Sequence, residues 1–297
     1  MKLSQSHIDD FYEQGYLQLP GVLEPADLDP VRWELEGIID RNARRLFAEG
    51  KITDLHERAP FEHRVAQIAR ESLEILNDVS PHQSLGPAIF HLMCNPKLLA
   101  VAESLVGSEI LCHPIHVLRA RIPDSIGRWA GNRSGFHQDV AVIQPDGENT
   151  LMVTLWIPFV DATEENGCVQ VIRGSHKHGL RVHRWTHTYL ITEEDLPPGD
   201  RKPLETEAGG IAVFHPYLCH VSGENRSEGV RWTTDLRYQD PSQPTGHPYL
   251  SGFIAQSCSN PSSELAYPEW VSMWETALAD DSPKPQVERW PRPEVSV

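Results

Sequence analysis

The amino-acid sequence predicts a mainly β fold with flanking helices, in which a double sheet or barrel carries the helices on the outside of one sheet. Two observations lead to this prediction. Residues 1–108 have the apolar periodicity of helices, whereas short β-rich runs separated by turn residues follow from residue 109 onward. We expect one domain over 1–297, with a mostly helical part (1–108), a β core (109–240) and a C-terminal extension (241–297).

The helical part divides at clear start and stop signals. The first helix is expected to begin near Ser4 or Ser6 and to end at Gly15, followed by a short strand in "YLQLP". The stretch "EPADLDPVRWELEGIIDRNARRLFAEG" predicts a long amphipathic helix, and further helices are expected around 61–77 and 84–106.

The β core is predicted from alternating and continuous apolar runs bounded by Gly, Pro, Asn or Asp. These runs are "EILCHPIHVLRARI", "TLMVTLWIPFV", "CVQVI", "GIAVFH" and "VRWTTDLRYQ". The segment 181–207 is long for a structureless loop, so we expect a lid there. The Pro-rich, charged tail after Trp274 is expected to lie on the surface.

Charge and cysteine content limit the partners. Lysine and arginine total 26 against 42 acidic residues, a formal charge of −16, which argues against binding to nucleic acid. Five cysteines without a Cys-x-x-Cys pair indicate a reducing compartment. No run approaches the ~18 apolar residues of a membrane span, and the N-terminus has no apolar signal core, so we expect a cytoplasmic protein that does not enter a membrane.

One basic cluster runs against the acidic composition. The favoured interpretation is a solvated helix face, and the alternative is a grip on an anionic group of a substrate. The cluster consists of Arg41, Arg44, Arg45 and Lys51.

The stretch "GFHQDVAV" contains a histidine and an aspartate two residues apart in a run that otherwise predicts a buried strand. Side chains at i and i+2 of a strand point the same way, so His137 and Asp139 should converge on one small volume. Either they hydrogen-bond to each other or they hold a metal ion between them. A later apolar segment, "GGIAVFHPYLCHVSGENRSEGVRWTTDLRY", supplies His220. Two imidazoles and one carboxylate form the facial triad that holds non-haem Fe(II) and leaves coordination positions open.

The order and spacing of these residues resemble the phytanoyl-CoA dioxygenase family of iron(II)/2-oxoglutarate dioxygenases. The pattern is His137-x-Asp139, then His220 and, eleven residues later, Arg231. The resemblance covers roughly residues 4–240. The stretches that match segments of the family are "LSQSHIDDFYEQGYLQLPGVL", "RIPDS", "NGCVQVIRGSHKHG" and "GGIAVFHPYLCHVSGENRSEGVR".

This resemblance implies a double-stranded β-helix, the jelly-roll or cupin-like core, with helices packed on one sheet. It implies that His137, Asp139 and His220 bind Fe(II), that Arg231 pairs with the distal carboxylate of 2-oxoglutarate, and that Ser222 adds a hydroxyl to it. Catalysis would then use O2 and release succinate and CO2.

Three further cosubstrate contacts follow from the same resemblance. Trp156 and Arg121 occupy positions that line the cosubstrate pocket in relatives, with Arg121 in place of a lysine. Gln138 lies between His137 and Asp139 in the sequence and is the third predicted cosubstrate contact, although on an ideal strand its side chain points away from those two residues.

Two residues compete for these roles. His215 is an alternative distal ligand, but only His220 has the serine at +2 and the arginine at +11. Arg237 shares the strand parity of Arg231 and can face inward, yet the family spacing favours Arg231 and leaves Arg237 as a salt-bridge partner.

Other groups receive no firm role. A histidine cluster is interpreted as solvated loop residues, with one of them structural, and four aromatics are interpreted as core or substrate-pocket residues. The histidines are His176, His178, His183 and His187, with His176 the structural candidate; the aromatics are Trp129, Phe136, Trp185 and Trp232.

We therefore expect an enzyme that hydroxylates an unactivated C–H bond of a small molecule. Relatives that halogenate lack the carboxylate, so Asp139 favours hydroxylation, or a related desaturation or cyclisation, over chlorination. The alternatives are a metal-dependent hydrolase with the same ligands and a binding protein that has lost turnover. The sequence names neither the substrate nor the oligomeric state.

Overall fold

The structure is a computed structural model that describes residues 1–77, 79, 86–127, 135–185, 189–250, 252–281 and 290. The α-helices are α1 (Gln5–Gln14), α2 (Pro25–Ala48), α3 (Phe61–Ala69), α4 (Pro87–Met93), α5 (Pro96–Val106) and α6 (Tyr267–Ala279). The strands are β1 (Tyr16–Leu19), β2 (Ile110–Cys112), β3 (Val117–Arg121), β4 (Val153–Pro158), β5 (Val169–Ile172), β6 (Arg184–Trp185), β7 (Tyr189–Leu190), β8 (Arg201–Pro203), β9 (Ile211–Phe214), β10 (His220–Ser222), β11 (Arg231–Gln239) and β12 (Phe253–Gln256).

The predicted boundaries of the first helix are confirmed by its caps. The Ser4 hydroxyl accepts a hydrogen bond from the His7 N–H at 3.2 Å, and Gly15 ends the helix in the left-handed conformation with φ 85°. The next residues form β1, so the chain turns directly from helix to sheet.

Two antiparallel sheets form the core. The larger has the order β1-β9-β4-β11-β2-β12, with β3 also pairing to β11, and the smaller has the order β10-β5-β8. On β4, Val153, Leu155 and Ile157 lie in the core cluster that includes the helices, whereas Trp156 lies in a second cluster with Phe214 and the apolar residues of β5. One face of the larger sheet thus packs on helices and the other faces the smaller sheet, which confirms the predicted class.

Two expectations concern the segments outside the main strands. The segment 181–207 contains β6, β7 and β8, and β8 completes the smaller sheet; its role as a lid stays a prediction. The C-terminal part contains α6, which buries Trp270 and Trp274 in the core, whereas residues 278–281 are exposed, as expected of the tail after Trp274.

One apolar stretch departs from the sequence expectation. Pro87–Val106 is 20 residues long with a mean hydropathy of 1.2, enough by length and composition to cross a membrane. In the structure it forms two helices, α4 and α5, and Leu92, Leu98 and Val101 are buried in the core. Burial between core helices accounts for its apolar character.

Candidate metal centre and cosubstrate pocket

The structure brings His137, Asp139 and His220 together. His137 and His220 form an isolated antiparallel bridge, with both N–H···O=C hydrogen bonds at 3.0 Å, and their ring centroids are 4.2 Å apart. One potential ligand atom from each of the three residues lies within 4.8 Å of the other two. A single metal ion fits such a cluster, since metal–nitrogen and metal–oxygen bonds are about 2 Å long.

The element that positions Asp139 differs from the prediction. "GFHQDVAV" is not a strand: only His137 is bridged, and Asp139–Val142 form a 3-10 turn. The chain turns because the N–H of Val140 donates to the Pro216 carbonyl and that of Ala141 to the Gln138 carbonyl. Gln138 itself is extended, with φ −121° and ψ 137°, so His137 and Asp139 still converge.

Both imidazoles are oriented by the main chain. The Nδ1 atom of His137 lies 3.0 Å from the Gly135 carbonyl oxygen, and that of His220 lies 3.0 Å from the Leu218 carbonyl oxygen. A carbonyl oxygen only accepts, so each Nδ1 carries the proton and donates it. Each Nε2 is therefore the unprotonated, ligating nitrogen.

A buried ion pair fixes the carboxylate of Asp139. Arg237 Nη2 donates to Oδ1 at 2.7 Å and the Thr154 hydroxyl donates to Oδ2 at 2.5 Å. Burial, the largest single effect, raises the pKa of Asp139, but the charge and hydrogen bond of Arg237 together with the nearby His220 and His137 hold that pKa well below its usual range. The prediction that Arg237 is an ion-pair partner is confirmed, and its partner is a candidate metal ligand.

The imidazole of His137 is neutral at physiological pH. Burial and the neighbouring His220 lower the pKa of His137 to about 3. With an ionised Asp139, the cluster offers the neutral nitrogen and anionic oxygen that a divalent cation requires.

Beside the cluster, Arg231 lies fully buried among the residues predicted to bind the cosubstrate. Its Nη2 donates to the Ser222 hydroxyl and its Nη1 to the Thr233 hydroxyl, both at 3.2 Å, and the guanidinium carbon lies 5.4 Å from the centre of the Trp156 ring. Burial and nearby Arg121 lower the pKa of Arg231 to about 9, so it remains a cation.

This cation lacks an anionic partner within the described part of the chain. Its Nε atom is buried without a hydrogen bond, and it makes no ion pair there. A buried, uncompensated guanidinium is costly, and a carboxylate of a bound small molecule would remove that cost.

Arg121 lies opposite Arg231 in the β3–β11 register. Its Nε donates to the Gly223 carbonyl at 3.1 Å, and its Nη2 lies 2.8 Å from Asp124 Oδ1. Arg121 therefore borders the pocket of Arg231 while being held by its own carboxylate.

The side chain of Gln138 is bonded to the main chain. Its amide nitrogen donates to the Gly179 and Tyr217 carbonyls at 2.9 and 2.7 Å, and its amide oxygen accepts from the Arg181 N–H at 2.8 Å. Both amide hydrogens are thus used by main-chain carbonyls, so we propose that Gln138 holds the loop rather than the cosubstrate.

The interpretation of His183 as a solvated loop residue is wrong, because its side chain is buried and bonds to the main chain beside the candidate ligands. His183 is 3% exposed, and its Nε2 accepts from the Gln138 N–H at 3.1 Å. Trp290 packs 5.2 Å from the His183 ring, and its indole N–H donates to the Ala141 carbonyl at 3.0 Å. Both contacts support the main chain around two candidate ligands, which short-range sequence patterns cannot indicate.

The rival histidine His215 lies away from the triad. It packs against Phe11 and His176, with ring centroids 5.8 and 4.9 Å apart, and its Nδ1 accepts from the Tyr217 N–H. His176 donates through Nε2 to the Tyr12 carbonyl at 2.9 Å, so its structural role is confirmed. His187 lies outside the described residues.

The aromatic candidates from the sequence analysis lie in different surroundings. Trp232 is fully buried and stacks on Phe61 at 5.4 Å, on the helical side of the sheet. Phe136 is buried in a small cluster near the ligand loop, and Trp185 packs on its neighbour in the β6–β7 hairpin. Trp129 lies outside the described residues.

The basic cluster on α2 is a solvated, ion-paired helix face, as the favoured interpretation predicted. Arg44 pairs with Asp40 and Glu57, and Lys51 pairs with Glu49 and Glu74. Arg45 also pairs with Glu49, and Arg41 is exposed, so the cluster has the solvated, ion-paired character of the favoured interpretation.

Two facing antiparallel sheets, a His-Asp-His cluster and a buried arginine beside it are the features of a jelly-roll protein with a candidate metal centre. The model of the phytanoyl-CoA dioxygenase (PhyH) family matches residues 11–233, so the chain belongs to that family. The predicted family is thereby confirmed.

Curated relatives and solved structures agree with this assignment. The chain is 26% identical over 236 residues to the peroxisomal phytanoyl-CoA dioxygenase of Rattus norvegicus, covering 77% of this chain and 66%, slightly under two thirds, of that protein. It is 29% identical over 254 residues to the 1-deoxypentalenic acid 11-beta-hydroxylase of Streptomyces arenae, covering 80% and 82%.

Among solved structures, the non-haem monooxygenase ThoJ in complex with nickel superposes with a TM-score of 0.58 at 17% identity, covering 91% of this chain and 93% of that one. The epimerase SnoN in complex with Fe3+, alpha-ketoglutarate and nogalamycin RO has a TM-score of 0.52 at 20% identity, covering 82% and 86%. At these identities the likeness establishes the fold.

Proposed function

We propose that this protein is an Fe(II)- and 2-oxoglutarate-dependent dioxygenase that hydroxylates an unactivated C–H bond of a small molecule and releases succinate and CO2. The observation that carries the proposal is the placement of the His137, Asp139 and His220 cluster beside the buried, uncompensated Arg231. A metal-dependent hydrolase has no need for that second feature, because a hydrolase requires only the ligands and an activated water.

The residues present fit both groups. Two imidazoles and one carboxylate suit Fe(II) and leave coordination positions for other ligands. Arg231, with the Ser222 hydroxyl beside it, suits the distal carboxylate of 2-oxoglutarate, since a planar guanidinium binds both carboxylate oxygens. When bound, the iron would supply the activation of O2 that is coupled to decarboxylation of 2-oxoglutarate.

The chain would contribute orientation and exclusion of water. The Gly135 and Leu218 carbonyls would keep both ligating Nε2 atoms unprotonated, and Thr154 would hold Asp139 in place. The Trp156 ring over the Arg231 guanidinium would shield the ion pair between Arg231 and the 2-oxoglutarate carboxylate from solvent. Exclusion of water would strengthen that ion pair. The absence of nucleic-acid and membrane partners and a cytoplasmic location complete the proposal.

Succinate formation tests this function. We expect the wild-type protein with Fe(II), 2-oxoglutarate and O2 to form succinate when a library of small molecules is screened, with His137→Ala as the blank. Arg231→Ala should raise the KM for 2-oxoglutarate roughly 10- to 100-fold, the loss of one charge-assisted pair, with iron affinity nearly unchanged.

Two results would contradict the proposal. Succinate formation that persists in His137→Ala would place the chemistry elsewhere. An unchanged KM for 2-oxoglutarate in Arg231→Ala would remove Arg231 from the cosubstrate site.

A further inference from the structure

The inward face of β3 and β11 carries an unusual number of arginines. Arg231 and Arg237 alternate with outward residues on β11, and both bond to groups of the pocket, Ser222 and Asp139. Directly opposed residues of antiparallel strands share a face. Arg119, opposite Thr233 in the register, therefore points into the same space.

Arg119 differs from the other inward arginines in being accessible. Its side chain is 34% exposed, whereas Arg121 and Arg237 are 3% exposed and Arg231 is 0% exposed. Its Nε donates to Oδ2 of the buried Asp235 at 3.2 Å, which holds the guanidinium in one orientation.

The outer end of this guanidinium is unused. Within the described residues, neither terminal nitrogen of Arg119 makes a hydrogen bond. Arg119 lies two residues before Arg121 on the same face of β3, and Arg121 is opposite Arg231 in the register, so Arg119 lies beside the cosubstrate pocket.

Charge on this face is out of balance by one. Among the described residues, four inward guanidinium groups stand against the three carboxylates that pair with them, and the charges of Fe(II) and of the 2-oxoglutarate dianion would cancel each other. One positive charge then remains without a partner at a low-dielectric site, in a chain whose net charge is −16. The existing pairs are Arg119 with Asp235, Arg121 with Asp124, and Arg237 with Asp139.

We propose that the two terminal nitrogens of Arg119 bind a carboxylate of the substrate, so that the substrate is an organic acid presented to the metal centre from the β3 side. This inference rests on the proposed function and adds the substrate class to it. The accessible nitrogens supply a bidentate fork for two carboxylate oxygens, and Asp235 fixes its direction.

The test uses the full-length protein loaded anaerobically with Fe(II) and 2-oxoglutarate. The probe is a panel of monocarboxylic acids, aliphatic, alicyclic and aromatic, each paired with its primary amide. Binding is followed by the change that each compound causes in the charge-transfer absorbance of iron-bound 2-oxoglutarate. We expect the acids that bind to do so about 10-fold or more tighter than their amides.

Three variants and one control locate this preference. Arg119→Gln should raise the Kd of the acids about 10- to 100-fold, leave the Kd of the amides and of 2-oxoglutarate within about 2-fold, and so abolish the preference. Arg119→Lys should keep part of the preference for acids over amides, because lysine keeps the charge. The double variant Arg119→Gln with Asp235→Asn leaves no unpaired carboxylate and should behave like Arg119→Gln. Arg70→Gln, which removes an exposed surface charge paired with Glu228, should match the wild type.

The outcomes separate the two proposals. If the absorbance does not form in the wild-type protein, the proposed function fails, and this inference fails with it. If the absorbance forms but no acid binds more tightly than its amide, only the inference is overturned. A rise in the Kd of 2-oxoglutarate in Arg119→Gln would also overturn it, since Arg119 would then belong to the cosubstrate site.

Discussion

Replacing Arg237 by methionine should destabilise the metal-free protein strongly. Asp139 is 2% and Arg237 3% exposed, and their atoms are 2.7 Å apart. At an effective dielectric constant of about 20, a pair at this distance attracts by roughly 6 kcal/mol. Methionine keeps much of the apolar stem but leaves the carboxylate buried without a cation, which typically costs about 3–5 kcal/mol. We expect the free energy of unfolding at pH 7 to fall by that amount.

Urea unfolding of the wild type, Arg237→Met, Asp139→Asn and the double variant measures this effect as a double-mutant cycle. The double variant should be more stable than the sum of single losses predicts, by about 2–3 kcal/mol, because no unpaired charge remains.

The control is Arg64→Met, whose pair with the more exposed Asp40 has a similar 2.9 Å distance and should contribute about 1 kcal/mol or less. Added Ni(II) should restore more stability to Arg237→Met than to the wild type, since the cation replaces the guanidinium beside Asp139. A loss below about 1 kcal/mol in Arg237→Met, or strict additivity in the cycle, would refute the reasoning.

Three further predictions concern groups around the centre. Burial lowers the pKa of His113 to about 3, below the ~6.5 of an unfolded chain, so its contribution to stability is present above pH ~6.5 and is lost as the pH falls towards 3. Urea unfolding between pH 6.5 and 4.5 should show a slope about 1.4 kcal/mol per pH unit smaller in His113→Gln than in the wild type, and an unchanged slope would contradict the assignment. Gln138→Ala should cost about 2–4 kcal/mol of stability through its lost main-chain bonds while the Kd for 2-oxoglutarate changes less than about 2-fold; a large change in that Kd would restore it to the cosubstrate site. Trp290→Phe removes the hydrogen bond to Ala141 but keeps a ring beside His183, so hydrogen exchange of residues 135–143 should quicken, and unchanged exchange would show that the bond is dispensable.

The helical boundaries and the metal ligands were accessible to sequence analysis for different reasons. Caps act within one turn of a helix, so Ser4 and Gly15 identify the ends of α1 from local chemistry. The ligands are recognisable because few residue types bind iron, and the family pattern fixes their spacing.

Side-chain partners across the fold were not accessible in this way. Arg237 and Asp139 are 98 residues apart, and Arg119 and Asp235 are 116 apart. Such pairs depend on strand register and on how the two sheets face each other, which the alternation of apolar residues does not specify. The 3-10 turn at Asp139 is not predicted for the same reason, because the N–H of Val140 bonds to the carbonyl of Pro216, which a distant loop supplies.

The central claim, that His220 and not His215 completes a single iron site, is tested most directly by anaerobic titration of Fe(II) in the presence of 2-oxoglutarate. The wild-type protein and His215→Ala should each bind one Fe(II) per chain and develop the charge-transfer absorbance of chelated 2-oxoglutarate. His220→Ala should develop none at the same concentrations. Retention of the absorbance in His220→Ala, with its loss in His215→Ala, would contradict the account.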